Sequence, residues 1–454
     1  MLRLLPLVMW LSACAAVAVP GAVAVPEHVR GGPTGYGYSC PPADRTEEYI
    51  EGVCVGSLRP DDGRLRWSAL ALAQPEGLTA VAVSGAPLAR IYMSENGGAD
   101  WRAAGLARDL LPVSGLGETT STGRVALEFD NEGRLHLVAE LIRTTDSTAT
   151  RSARESIDLY HLSSPDFGRS WTRPVMLPTN GWGVFPTLVA AGNRLFVTWG
   201  YRGDYRLNLA SSADGGNSWA LAKAAPDDCI NSSEVALLRG IAYVACAGYT
   251  LQDEAAAIGE GRNPFIGLRL YRLDPSGRLN LVSTLDSFEG VWPRLFAASD
   301  GSLVLLAKLY RVHSTDRGWD KCCAAVARSA DAGRTWSGGA DLRTMLRSED
   351  GWDTFDLAAA RLDSWGLLHI IASGSDQADP ANGSPGTDAR LVHAIFDPAS
   401  GRLLGEASLT PPTSGPGGYY PGDASLAFHS TLGIASWSSG DRLDYTRLTP
   451  QGTR

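Results

Sequence analysis

The sequence predicts an all-β chain built by radial repetition, a β-propeller of four-stranded antiparallel blades. A short motif, S-x-[DN]-x-G-x-x-W, occurs four times along the 454 residues. Between turn-forming residues, apolar segments of strand length recur at regular spacing, and no segment carries a convincing 3.6-residue apolar stripe. Composition agrees. A hydrophobic content of 44% excludes a disordered chain, and 51 Gly with 26 Pro make it turn-rich without a collagen-like period.

Taken in chain order, the opening MLRLLPLVMWLSACAAVAVPGAVAVPEH has Arg3, an apolar run and then small residues. It reads as a signal peptide over residues 1–24, too short and too weakly flanked for a permanent span. Two processing sites fit. Ala22-Val23-Ala24 is an A-x-A site before Val25, and Leu11-Ser12-Ala13-Cys14 resembles a bacterial lipobox that would leave Cys14 acylated at the new N-terminus. Either reading places the chain outside the cytoplasm, as a secreted, periplasmic or lipid-anchored envelope protein. Exported chains form disulfides, and local spacing favours Cys40 with Cys54 and Cys229 with Cys246, leaving the adjacent Cys322 and Cys323. There is no C-x-x-C and no histidine at ligand spacing, so neither a metal nor any other cofactor is expected. The Pro-rich residues 25–65 form an N-terminal arm, expected to be disulfide-bonded and to supply a strand that closes the ring. The propeller itself is assigned to residues 66–454.

The four motif copies are Ser94 to Trp101, Ser164 to Trp171, Ser212 to Trp219 and Ser329 to Trp336. A single match is expected by chance on the order of once per hundred chains of this length. Each copy follows a short apolar strand and has the chemistry of a hairpin turn. Asp or Asn and Ser can bond the turn amides, Gly takes positive φ without steric cost, and Trp packs back beneath. The starts lie 70, 48 and 117 residues apart, which suggests a unit of roughly 40 to 60 residues with an unmarked copy in the last gap. Strand pairs of one shape fill the rest: 125–143, 186–202, 233–249, 293–311, 356–374 and 424–440, with 66–101 as a seventh. Seven blades are favoured, and six is the alternative if 66–101 merges with the C-terminal sheet.

These boxes resemble the Asp-box, or bacterial neuraminidase, repeat, and residues 66–448 resemble the sialidase-like β-propeller superfamily. The boxes are specific for fold rather than activity, because that superfamily holds sialidases, other glycosidases, polysaccharide lyases and non-catalytic assembly or binding propellers. The resemblance to true sialidases implies an arginine trio for the substrate carboxylate, an Asp acid/base and a Tyr nucleophile paired with a Glu. Here Asn231-Ser232-Ser233-Glu234 is similar to the segment carrying that Glu. The chain departs elsewhere: no R-I-P tripeptide precedes the first box, Ala247-Gly248-Tyr249 stands where an arginine is expected, and Asp423 stands where the nucleophilic Tyr belongs. Tyr419 and Tyr420 lie just upstream. An anionic-glycan propeller, acting as a glycoside hydrolase or polysaccharide lyase if it is an enzyme, is therefore weighed against a non-catalytic envelope scaffold or protein-binding propeller.

Strand ends at one face of a propeller converge on a shared cleft, which selects candidate residues by position. Arg143, Arg202 and Arg311 each end the second strand of a pair, and three guanidiniums there would suit a carboxylate or sulfate. Arg294 follows an aromatic–Pro dipeptide and joins the substrate-binding candidates. Glu140 and Lys308 are charges within apolar strands, expected either to pair with each other or to line the channel. Asp356, Asp423, Glu234 and Tyr420 form the pool for acid, base and nucleophile. His136 and His369 recur right after a turn, which points to a structural hydrogen bond in each blade. Phe185-Pro186, Trp292-Pro293 and Tyr420-Pro421 recur in the same sense, as packing between blades or as a sugar-stacking platform. With 40 basic against 49 acidic residues the net charge is −9 and only Lys223, Lys308 and Lys321 are lysines, so a nucleic-acid partner is not expected. A membrane partner is expected only through a lipid at Cys14.

Overall fold

A computed structural model describes residues 35–39, 48–50, 53–58, 67–73, 78–85, 88–96, 100–106, 118–145, 154–179, 182–201, 206–222, 229–230, 233–249, 265–286, 288, 290–312, 319–342, 346, 354–376, 387–410, 424–429, 432–439 and 442–451. Among these residues seven antiparallel sheets are formed. Blade 1 comprises Trp67–Ala73, Leu78–Gly85, Leu88–Ser94 and Arg102–Leu106, and blade 2 Glu118–Phe129, Leu135–Thr145, Arg154–Ser164 and Val175–Met176. Blade 3 comprises Gly183–Ala191, Arg194–Tyr201, Leu207–Ser212 and Ala220–Leu221. Blade 4 has Ala236–Leu238, Ile241–Tyr249, Phe265–Leu273 and Leu279–Leu285, with Cys229–Ile230 also on the second strand. Blade 5 comprises Gly290–Ala297, Leu303–Val312, Trp319–Ser329 and Ser337–Asp341, and blade 6 Thr354–Leu362, Leu368–Asp376, Thr387–Asp397 and Arg402–Ser408. Blade 7 joins Ala424–His429, Leu432–Ser439 and Arg442–Gln451 to the N-terminal strands Gly35–Ser39, Glu48–Ile50 and Val53–Leu58. Residues 67–106 thus form their own sheet and do not merge with the C-terminal one.

Middle strands are covered on both faces by neighbouring blades, so they are mostly apolar and buried along their length: Leu135 to Leu141, His136 and Glu140 included, is buried at every position. Outer strands face water and lose that pattern, as in Ala220–Leu221, which is exposed throughout. Each junction has its own apolar cluster. Ile91 and Met93 of blade 1 meet Val125 and Leu127 of blade 2, Val138 meets Leu188 at the next junction, and Phe196 meets Val235 at the third. Further round, Leu270 packs with Leu295, Val304 with Leu368, Leu391 with Leu426, and Leu70 of blade 1 closes on Ile434 of blade 7. The ring is therefore closed by apolar contact between first and last blades, and by the pairing of Val53–Leu58 and Gly35–Ser39 with Arg442–Gln451.

The four boxed turns connect third to fourth strands of blades 1, 2, 3 and 5, and the long gap in their spacing is blade 4. In blade 3, Ser212 Oγ donates to Asp214 at 2.7 Å and accepts the Gly216 amide at 2.8 Å, while Asp214 accepts the Ser218 amide at 2.9 Å. Blades 2 and 5 repeat this network around Ser164 and Ser329. Trp101, Trp171, Trp219 and Trp336 pack against the clusters at blade junctions, so each turn also anchors a neighbour. Cys229 and Cys246 form a disulfide that ties Cys229–Ile230 to the second strand of blade 4. Cys40 lies outside the described residues, as do the side chains of Cys54, Cys322 and Cys323.

Candidate functional site in the axial cavity

The innermost strands of all seven blades enclose a cavity of about 350 Å³. Each blade contributes: Leu70, Arg124, Phe185, Glu234, Arg294, Arg361 and Ser425 line it in ring order. Lys308, on the second strand of blade 5, lines it as well.

Glu234 precedes the short inner strand of blade 4 and organises the charges. Its Oε2 accepts Nη1 of Arg361, and Nη1 of Arg294 lies 3.6 Å from its Oε1. Burial works to raise the Glu234 pKa, but the Arg361 and Arg294 guanidiniums outweigh it and hold the carboxyl below its ordinary range. Glu128, on the inner strand of blade 2, behaves oppositely. Burial raises its pKa, Arg361 offsets part of that and Glu234 adds to it, leaving it at about 7. Glu128 and Arg361 occupy matching places, each in register with a buried histidine: Glu128 opposite His136, Arg361 opposite His369.

Phe185 and Trp292 form the aromatic side. Each immediately precedes a proline, within a register shift of the inner strand of blades 3 and 5. Their φ values are 58° and 49°, in the left-handed region that bulky residues rarely enter. The rings meet at 5.5 Å between centroids and 74° between planes. Arg124 lies over the Phe185 ring at 4.0 Å. Glu140, buried in the second strand of blade 2, accepts the Arg124 amide at 2.9 Å and the Phe185 amide at 2.7 Å.

Sequence candidates are therefore divided by the fold. Glu234, Arg294 and Lys308 come together in the cavity. Glu140 braces two blades through main-chain amides instead of pairing with Lys308. Arg143 is held within its own blade, 3.2 Å from Asp158 and 2.7 Å from the Tyr160 hydroxyl, and does not line the cavity. The backbones of Arg311 and Asp356 lie in strands opposite Asp320 and Ser373, with side chains outside the described residues. Arg202, Tyr420 and Asp423 also fall outside them. Arg124, Arg361 and Glu128 are additions to the candidates read from sequence. The charge-in-an-apolar-strand rule that selected Glu140 applies equally to Glu128 in VALEF and Arg361 in LAAARL.

The recurring histidines belong to two equivalent chains. His136 Nε2 lies 3.3 Å from Asp130 and its Nδ1 3.1 Å from His161; His369 Nε2 lies 3.2 Å from Asp363 and its Nδ1 3.0 Å from His393. Among the described residues no group of three or more His, Cys, Asp or Glu is placed to hold a metal ion, and no helix is long and apolar enough to cross a membrane.

By fold the chain is a β-propeller of antiparallel blades. No protein-family profile matches it, and no curated protein matches it in sequence. Among solved structures it is similar to a polysaccharide lyase of family 25, an ulvan lyase bound to a glucuronate–sulfated rhamnose ligand, with 12% identity, TM-score 0.52, and 88% of this chain and 97% of that one covered. It is similar to an ancestral GH74 enzyme with 12% identity and TM-score 0.50, over 91% of this chain and 52% of that one. A Hadza microbial sialidase matches at 14% identity and TM-score 0.48, over 88% and 70%.

Proposed function

We propose that this chain is an exported sialidase-like propeller that binds an anionic glycan in its axial cavity. One observation carries the reading: Arg124, Arg294, Lys308 and Arg361 converge with a single aromatic wall on a cavity that Glu234 only partly neutralises. Among the described residues that line it, four cations stand around one carboxylate, on a chain whose net charge is −9, which supports this as the place for an anion. The fold likeness to an ulvan lyase that holds a glucuronate-containing ligand is consistent with this ligand class. The signal-peptide-like pattern of residues 1–24 and the Cys229 to Cys246 disulfide support an oxidising compartment outside the cytoplasm. Mass spectrometry of the mature N-terminus separates processing before Val25 from acylation at Cys14.

Cleavage is a second reading, favoured by the two glutamates. A carboxyl at about 7 beside one held below its usual range is the pattern of an acid and a base kept in different protonation states. In that reading Glu128, which does not itself line the cavity, would be a positioning residue acting on the glycan through Arg361, with Glu234 holding the arginines.

A glycan array of residues 25–454, run beside Arg294→Ala/Arg361→Ala, tests binding. Binding lost in the variant supports the site. Binding unchanged in a folded variant would rule it out. Turnover of any bound glycan, lost in Glu128→Gln with binding kept, would add the catalytic reading, and no turnover would leave a glycan-binding propeller.

A further inference from the structure

We infer that Phe185 and Trp292 form an aromatic corner against which the pyranose ring of a hexuronate stacks, its carboxylate taken by Arg294 and Arg361. This rests on the anionic-glycan reading and names its ligand class. The starting point is backbone strain. Among the described residues, the non-glycine positions with positive φ are Phe167, Phe185, Arg239, Trp292 and Ala332. Phe167 and Ala332 hold the same place in boxed turns, just before the glycine, and Arg239 sits in the tight turn joining Leu238 to Ile241. Turn geometry accounts for those three. Phe185 and Trp292 lie inside inner strands, where nothing reverses direction.

Holding a bulky residue there costs about 1 to 3 kcal/mol, and such strain persists where surrounding contacts over-determine it. A following proline further restricts the backbone, toward extended conformations. Two blades adopt the same costly arrangement although they are not neighbours, since blade 4 lies between them. The outcome is a contact across the inner edge of blade 4 that presents both rings to the axial cavity. Glu140 supports the arrangement by accepting the Phe185 amide, and Arg124 backs the Phe185 ring.

Ligand chemistry follows from what the rings share the cavity with. Aromatic surface at right angles suits the C–H faces of a sugar ring, and paired guanidiniums suit a planar carboxylate. Glu234 shows that a carboxylate fits against Arg294 and Arg361, and each guanidinium carries five donors, more than one carboxylate can occupy. A sugar ring and a carboxylate within one cavity's reach describe a uronic acid.

The test is calorimetric titration of the full mature chain with oligosaccharides containing glucuronate, galacturonate or iduronate, each beside its carboxyl-reduced form and beside a sulfated neutral oligosaccharide. At least one uronate is expected to bind. Carboxyl reduction, Phe185→Ala and Trp292→Ala should each weaken it about tenfold or more, while Trp292→Phe stays within about threefold. Phe185→Gly, which relieves the positive φ, should remain folded by thermal melting and still lose binding, so the test survives a destabilised alanine variant. Uronate binding that survives both aromatic variants but is lost in Arg294→Ala/Arg361→Ala would overturn the aromatic corner and leave the anionic-glycan reading intact. Binding of the sulfated neutral sugar alone would overturn the uronate assignment, and silence from all probes would overturn both readings.

Discussion

Two aspartate–histidine–histidine chains run through blades 2 and 6 with every histidine buried. Burial, then the neighbouring His136, pushes His161 down to about 3, and burial with His369 takes His393 well below its ordinary value. Their folded pKa values lie below the unfolded 6.5, so protonation favours the unfolded chain. Stability is complete above about pH 6.5 and falls as pH drops toward the folded values, by at most about 1.4 kcal/mol per pH unit for each histidine. In a Glu128→Gln background, which removes the opposing titration of that carboxyl, urea midpoints should therefore decline between pH 7 and pH 5, and His161→Gln/His393→Gln should flatten that decline; a flat profile in that background would refute the assignment. Glycine environments give a second contrast. A Cβ on Gly216, at φ 90°, would collide with the His161 ring, whereas Gly240, at φ 76°, has nothing within 4 Å. Gly216→Ala should cost about 3 kcal/mol or more and Gly240→Ala about 1 kcal/mol, read as denaturation midpoints at constant m-value.

At the scale of the element, the boxed turn works because one serine both donates and accepts. Ser212 is buried, and its hydroxyl satisfies the Gly216 amide while orienting Asp214. Ser212→Ala strands that amide and should cost about 1 to 3 kcal/mol, whereas Ser212→Thr, which keeps a hydroxyl, should lose less; equal losses would show that packing dominates. The same turn touches the histidine chain, since His161 packs against Trp219 at 5.3 Å. The disulfide between Cys229 and Cys246 spans 17 residues, and its removal by Cys229→Ser/Cys246→Ser should lower stability by about 3 kcal/mol.

For the whole molecule, ring closure and the cavity are a single matter, because seven inner strands must meet before the charges do. Val53–Leu58 and Gly35–Ser39 pair with Arg442–Gln451, so blade 7 is built from both ends of the chain. A chain starting at residue 59 should lose closure, with a thermal midpoint lower by roughly 10 °C or more; an unchanged midpoint would show that blade 7 stands without those strands. Glu128 reports on the closed ring. Its folded pKa, near 7, lies above the unfolded 4.5, so its contribution is full below about pH 4.5 and is lost as pH rises through about 7. Glu128→Gln should stabilise the protein at pH 8 by about 1 to 2 kcal/mol, allowing for solvent screening in the cavity, and by little at pH 4.

By itself, the sequence determined the propeller. Local patterns suffice for that: four boxed turns, apolar second strands and hairpin glycines each encode a blade from residues close together in the chain. The histidine role was legible for the same reason, as one short pattern occurring twice. Only the tertiary structure decided which charges share the cavity. Arg124, Glu234, Arg294 and Arg361 come from four blades, and their meeting depends on how many blades close the ring and on the register of each inner strand. Glu140 and Lys308 looked equivalent in their strands, but the first accepts main-chain amides of two blades and the second lines the axial cavity. The left-handed backbone at Phe185 and Trp292 was hidden too, because a residue before proline reads as extended and only contacts from neighbouring blades hold it otherwise.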